Sequence, residues 1–195
     1  MRKLSILALA IALFAAAANA QTWEFDPAHS GIDFKVTHMV ISRVSGEFEK
    51  FEGKITNFDG NDFTKAGVEV TIDAASINTE NERRNGHLRS DDFLAVDSFP
   101  TITFVSTKVT QPQDGNFQII GNLTMRGVTK QVTLDAHLNG IIEDSWGNTR
   151  AGFSATTTIN RQDYGVSWSK TLDTGGLVAG NDVDISLEVE AVKQK

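Results

Sequence analysis

The sequence predicts an all-β protein, an eight-stranded antiparallel barrel with one or two short helices at about residues 80–96. Three observations lead there. Apolar residues recur at every second position through most of the chain, the period of a half-buried strand. The gaps between these runs hold Gly, Asn and Asp and are too short for a crossover helix, so successive strands run antiparallel. Eight such strands form a sandwich or close into a barrel. Closure removes the unpaired edges that a soluble sheet must otherwise hide, which favours the barrel, and an eight-stranded barrel has an interior able to hold one small ligand.

The chain opens with Arg2 and Lys3, a small-apolar run from Leu4 to Ala18, and Ala18-Asn19-Ala20, a small-x-small cleavage pattern. This reads as a secretory signal peptide over residues 1–20, cleaved to leave a periplasmic product that starts near Gln21. Residues 21–195 read as one domain, since no linker, charge block or repeat divides them. There is no cysteine, so an exported chain of this kind must be stable through its core without disulfides. The formal charge is −7, and removal of Arg2 and Lys3 leaves 16 basic against 25 acidic residues, about −9. Such a chain is repelled by phosphate backbones, and a nucleic-acid partner is not expected.

Taken in order, Ile32, Phe34, Val36 and His38 share one face of the first strand, while Asp33, Lys35 and Thr37 share the other. Apolar parity then switches between Val44, Gly46, Phe48 and Phe51, Gly53, Ile55, which requires a bulge or tight turn at Glu49-Lys50. Further strands follow on Val68, Val70, Ile72 and Ala74; on Ile102 and Phe104; on Phe117, Ile119, Gly121, Leu123 and Met125; and on Val132, Leu134, Ala136 and Leu138. The last two carry Ala151, Phe153, Ala155, Thr157 and Ile159, then Val183, Ile185, Leu187, Val189 and Ala191. Arg126-Gly127 reads as a hairpin loop, Ser145 to Asn148 as a longer one, and Gly175-Gly176 with Gly180-Asn181 as turns before the final strand. Residues 77–100 break the alternation. Thr79 with Glu82 has the form of a capping box, and Ser90 before Asp91-Asp92 resembles the start of a second short helix, the two packing over one end of the sheet.

Parity also decides the chemistry of HSGIDFKVTHM. His29 and His38 fall on opposite faces, His137 lies on a polar face and His87 in the helical segment, so no pair of histidines has metal-ligand spacing. No nucleophile elbow, cysteine or phosphate loop is present, and Asp91-Asp92 reads as a helix-dipole pair. No catalytic residue, metal or cofactor is expected. His38 is the one titratable group sent inward among aromatics, either as a hydrogen-bonded core residue or at the polar end of a ligand site. Arg83, Arg84 and Arg89 are either solvated or near a barrel mouth where an anionic headgroup would sit. Twelve phenylalanines stand against one tyrosine, with Phe34, Phe48, Phe104, Phe117 and Phe153 on apolar faces, either as packed core or as the lining of an apolar site.

HSGIDFKVTHM at 29–39, SGEF at 45–48, HLRSDDFLAVDSFPTITFVST at 87–107, GNLTMRGVTKQVTL at 121–134, DSWGNTRAGFSATTTINRQDYG at 144–165 and DVDISLEVEAVKQK at 182–195 resemble, in that order, the signatures of the YceI-like family. The resemblance covers essentially the whole chain after the signal. It implies an exported, lipocalin-like barrel that is not an enzyme and whose interior holds a polyisoprenoid or similar long-chain amphiphile, as carrier or store, in connection with quinone precursors or stress response. Under it, Ile32, Phe34, Val36, His38, Phe48, Val70, Ile72, Phe93, Phe104, Ile119, Leu123, Leu134 and Phe153 become the candidate ligand contacts. The expected occupant is an isoprenoid or quinone-like lipid. Transient membrane contact and a homodimer are left open. Arg161, Asp163, Tyr164 and Gly165 match a further family signature and are expected to shape a strand end rather than touch ligand. Asn85 departs from the family, where members often carry aspartate, which puts a headgroup contact there in question. Two rival readings stay open: a barrel enzyme with His38 as general base, and a β-sandwich interaction protein whose inward side chains are all consumed by packing.

Overall fold

The computed structural model describes residues 21–173 and 175–195; the signal-peptide reading lies outside them. The strands are β1 (Thr22–Phe25), β2 (Gly31–His38), β3 (Ser42–Phe48), β4 (Phe51–Thr56), β5 (Gly67–Asp73), β6 (Ile77–Asn78), β7 (Thr101–Val109), β8 (Asn116–Met125), β9 (Val128–Glu143), β10 (Thr149–Asn160) and β11 (Ala179–Lys193), with helix α1 (Glu82–Arg89) after β6. Three consecutive pairs, β1 with β2, β3 with β4 and β5 with β6, are halves of single kinked strands, which leaves eight. They form an antiparallel meander, and β11 closes the ring by pairing with β1 through Ala191↔Phe25 and with β2 through Ile185↔Phe34. Closure gives every strand two partners, so the edge problem that favoured a barrel over a sandwich is solved in this way.

The parity switch at Glu49-Lys50 is real and has a specific anchor. The Ser76 hydroxyl accepts from Lys50 N (3.1 Å), and Glu49 N donates to Ser76 O (3.2 Å), so the kinks of two neighbouring strands are tied to one another. Arg126-Gly127 forms the expected two-residue hairpin with φ of 51° and 73°, both left-handed, which matches the twist of the flanking strands.

Four details differ from the sequence reading. Thr22–Phe25 is also strand, the first half of the kinked strand that β2 completes. α1 is capped by Asn81, whose side chain accepts from Arg84 N at 3.0 Å, not by Thr79; the left-handed Glu80 (φ 58°) between them turns Thr79 away from the helix start. The second helix does not form. Ser90 instead ends α1, its hydroxyl and amide both donating to His87 O, and residues 91–94 and 96–98 are turns. Gly180-Asn181 lie inside β11 rather than before it, at an irregularity where Ala179 pairs with His38 and Val183 with Val36.

One end of the barrel is shut by aromatic rings. Phe58 and Phe63, from the segment between β4 and β5, are 1% and 3% exposed. Phe58 meets Trp23 (centroids 5.3 Å), Phe63 (4.8 Å, edge-on) and Phe153 (5.6 Å), and Phe63 meets Phe117 (5.0 Å). The Trp23 indole donates to Phe58 O at 2.9 Å, so the plug keeps its one buried polar group satisfied. Just outside, Arg150 on β10 donates to Asp144 (2.7 Å), Asp26 (2.9 Å) and Glu190, which clasps the β1–β2 corner to β10 and β11.

That clasp makes an acid-sensitive contribution. The Arg150 guanidinium, with backbone and Asn148 donors, holds the Asp144 carboxyl far below the usual carboxylate range, and His29 with Arg150 lowers that of Asp26. Folded pKa values below the unfolded ones mean stability that is complete above about pH 4 and is lost as the pH falls towards the folded values. We expect Arg150→Ala to lower the urea midpoint at pH 7 and the gap between variant and parent to narrow steadily as the pH falls from about 4 to about 2; curves that stay parallel across that range refute the assignment.

Candidate ligand-binding cavity

Inside the barrel the aromatic plug gives way to a hollow of about 400 Å³. The inward residues of β2, β10 and β11, among them Phe34, Val36, Phe153, Ala155, Val183, Ile185 and Leu187, are only half-buried although the closed wall surrounds them, because they face empty space rather than other atoms. In a solid core the same positions would be fully covered.

Backbone composition helps to explain why the rings do not fill the centre. A Cβ on Gly46 would lie 2.4 Å from Phe34, one on Gly53 2.3 Å from Phe25, and one on Gly121 2.4 Å from Phe104. Each ring therefore lies across a glycine of the neighbouring strand, against the wall instead of out into the lumen. Phe34 and Gly46 are direct cross-strand partners.

Every candidate ligand contact from the sequence lines this hollow: Ile32, Phe34, Val36 and His38 of β2, Phe48 of β3, Val70 and Ile72 of β5, Phe93 after α1, Phe104 of β7, Ile119 and Leu123 of β8, Leu134 of β9 and Phe153 of β10. Of the three arginines placed near a mouth, Arg84 borders the hollow and Arg83 and Arg89 do not; sequence reasoning missed Phe58 and Phe63 at the floor and Leu88, His87 and Trp168 at the other end. The floor pair left a signal, two phenylalanines in an otherwise Asp- and Gly-rich loop. Trp168 left none.

Arg84 and His87, both exposed, line the hollow at the end opposite the plug, which makes that end its mouth. His87 Nε2 lies 2.9 Å from an Asp92 carboxylate oxygen, with its ring edge-on to Phe93 (4.9 Å) and Trp168 (5.4 Å). Arg84 donates to Thr79 Oγ1 (2.7 Å) and Thr79 O (2.6 Å). Asn85 is 4% exposed, and its side-chain oxygen accepts from Thr79 N (2.9 Å) and Thr79 Oγ1 (2.7 Å). It fastens α1 to the barrel rather than facing a ligand, and an aspartate would supply the same acceptor. His38 is half-buried at the rim.

Arg161, also 4% exposed, donates to Gly180 O (2.8 Å), Val166 O (2.6 Å), Ala179 O (3.3 Å) and Asn181 Oδ1 (3.3 Å), and burial pushes its pKa down. With Tyr164 (2% exposed) and the left-handed Gly165 (φ 75°) it organises the turn after β10, and it also borders the hollow. Among the described residues, one group offers convergent metal-ligand atoms, Asp26, His29 and Glu190. The Arg150 guanidinium already donates to both carboxylates, which fills the need for positive charge.

A closed eight-stranded antiparallel barrel with one helix at the mouth and an apolar hollow is a lipocalin-like architecture. The model of the YceI-like domain matches residues 23–191, and the chain belongs to that family. A UPF0312 protein of Staphylococcus aureus (strain MSSA476) is 38% identical over 167 residues, 85% of this chain and 94% of the relative. Among solved structures, BcnA of Burkholderia cenocepacia superposes with a TM-score of 0.75 at 22% identity, covering 85% of this chain and 98% of its own. A Campylobacter jejuni YCEI protein gives 0.68 at 31% identity, covering 82% and 90%. A polyisoprenoid binding domain from Saccharophagus degradans, implicated in plant cell wall breakdown, gives 0.66 at 15% identity, covering 88% and 98%.

Proposed function

We propose that this protein binds a polyisoprenoid or similar long-chain amphiphile inside the barrel, as a non-enzymatic carrier or store in the periplasm. The observation that carries the reading is the hollow itself, an apolar interior that its own side chains leave unfilled. The likeness to the Saccharophagus degradans polyisoprenoid binding domain and the membership of the YceI-like family support it. The chain enters past His38, His87 and Trp168, its apolar part contacts the lining residues of β2, β5, β7, β8, β9 and β10, and its polar end stays at the mouth.

Affinity follows from area. At ~0.8 kcal/mol per buried methylene, about ten methylene equivalents give roughly 8 kcal/mol gross, of micromolar order before association costs. Few polar contacts are needed, so the site selects length and shape before headgroup.

The enzyme alternative with His38 as general base has weaker support: no His38 side-chain hydrogen bond is found among the described residues, whereas His87 is paired with Asp92. The deciding experiment is to purify the protein without detergent, extract it with organic solvent and identify the lipid by mass spectrometry. One long-chain lipid per barrel is expected, and loss of it in a folded Phe34→Asp variant. Clean extracts from both, or undiminished lipid in the variant, count against the reading.

A further inference from the structure

The mouth of the hollow carries an apolar lip that plays no part in lining it. The hairpin between β2 and β3 presents Met39, Val40 and Ile41 at 39%, 66% and 88% exposure, three consecutive apolar side chains. Single exposed apolar residues are ordinary, but a contiguous group at one tip calls for a partner. The tip is also held in an unfavourable backbone. Met39 and Val40 have φ of 50° and 66°, in the left-handed region that β-branched residues rarely adopt. Met39 N donates to Val178 O (2.9 Å) and Ile41 N to His38 O (3.2 Å), which fixes this shape.

A second loop leans on the first. A Cβ on Gly176 would come within 2.7 Å of Val40, so the absence of a side chain there lets the two loops meet. Leu172 and Leu177 flank that glycine. The lip runs directly into the cavity wall, because His38, Val178 and Ala179, beside its two loops, line the hollow. Residues 39–42 bear no charge, and the adjoining Arg43 is already paired with Asp184.

We propose that this lip docks on a lipid surface, inserting Met39, Val40 and Ile41 into the outer part of the bilayer so that the mouth of the hollow faces the membrane. The proposal rests on the lipid-binding reading. A cargo of that class is dissolved in a lipid phase before the protein takes it up, and the lip is continuous with the wall along which the cargo would slide. The tip is convex and only three side chains wide. That suits a fluid acyl phase, which adapts its shape, better than a second copy of the chain, since a stable dimer buries about 800 Å² per partner. The chain is acidic overall, so contact with neutral lipid through apolar side chains is the expected mode, without help from anionic lipid.

The test uses delipidated mature protein and a dansyl-labelled geranylgeraniol, offered from detergent micelles or from phosphatidylcholine vesicles. Loading from micelles reports the hollow alone, and uptake from vesicles reports the lip. Ile41→Asp is expected to load normally from micelles and to take up probe from vesicles about tenfold more slowly or worse. Ile41→Trp is expected to show a blue-shifted emission on adding vesicles. Equal vesicle uptake by the parent and Ile41→Asp, or no shift for Ile41→Trp in protein that loads from micelles, overturns the docking. A parent that sediments as a dimer while Ile41→Asp sediments as a monomer overturns it too, in favour of a second copy. Failure of the parent to load from micelles instead defeats the lipid-binding reading beneath it.

Discussion

Replacing Ala155 with tryptophan should weaken lipid binding about a hundredfold while leaving the barrel folded. Ala155 sits in the wall on β10, half-buried, with its methyl group facing the hollow. In a packed core an added indole forces neighbours off their rotamers. Here it projects into a space of about 400 Å³ and meets atoms that previously had no partner on that side. Displacing about four methylenes of a bound chain at ~0.8 kcal/mol each removes ~3 kcal/mol, about a hundredfold in Kd. Co-purified lipid should fall accordingly, and the melting temperature of the delipidated protein should hold or rise. A variant that melts well below the parent would mean that the hollow is not available space, and unchanged lipid content would mean that the chain lies elsewhere.

Phe58→Ala should be the most damaging single truncation for stability. The ring is almost wholly buried and touches Trp23, Phe63 and Phe153 at once, so its removal opens a void that three other rings border. Phe→Ala changes in such settings cost about 3–5 kcal/mol, a large share of the ~5–15 kcal/mol that holds a domain together. For a domain of this size that corresponds to a fall of roughly 10 °C in Tm. Urea unfolding of delipidated protein measures it directly, with Phe58→Leu as the milder control. A loss below about 1 kcal/mol would show that the plug is not a packed floor.

Much of the architecture could be read from residue parity. Ile32, Phe34, Val36 and His38 fall on the lumen side because a two-residue period leaves them no other, and the switch between Phe48 and Phe51 was visible as a change of phase. Closure itself was less visible. It depends on β11 meeting both β1 and β2, a pairing across the whole length of the chain that no local pattern records. The helical segment was placed correctly but capped wrongly, since Thr79 and Asn81 are both good caps and a left-handed Glu80 decides between them. The floor and part of the rim were missed for a common reason. Phe58, Phe63 and Trp168 stand in irregular segments, where neither a period of two nor one of 3.6 applies, and only the folded wall brings them to the hollow.

The three glycines that let Phe25, Phe34 and Phe104 lie along the wall have an implication for how such a vessel changes its capacity. With strand number fixed, the free bore of the tube depends on whether a neighbouring backbone position carries a methyl group. One carbon added at Gly46 or Gly121 tips a phenyl ring towards the axis and narrows the bore, whereas trimming a ring widens it. Cargo size can thus be retuned by single-atom changes in the lining, with the outer shape of the container left as it was.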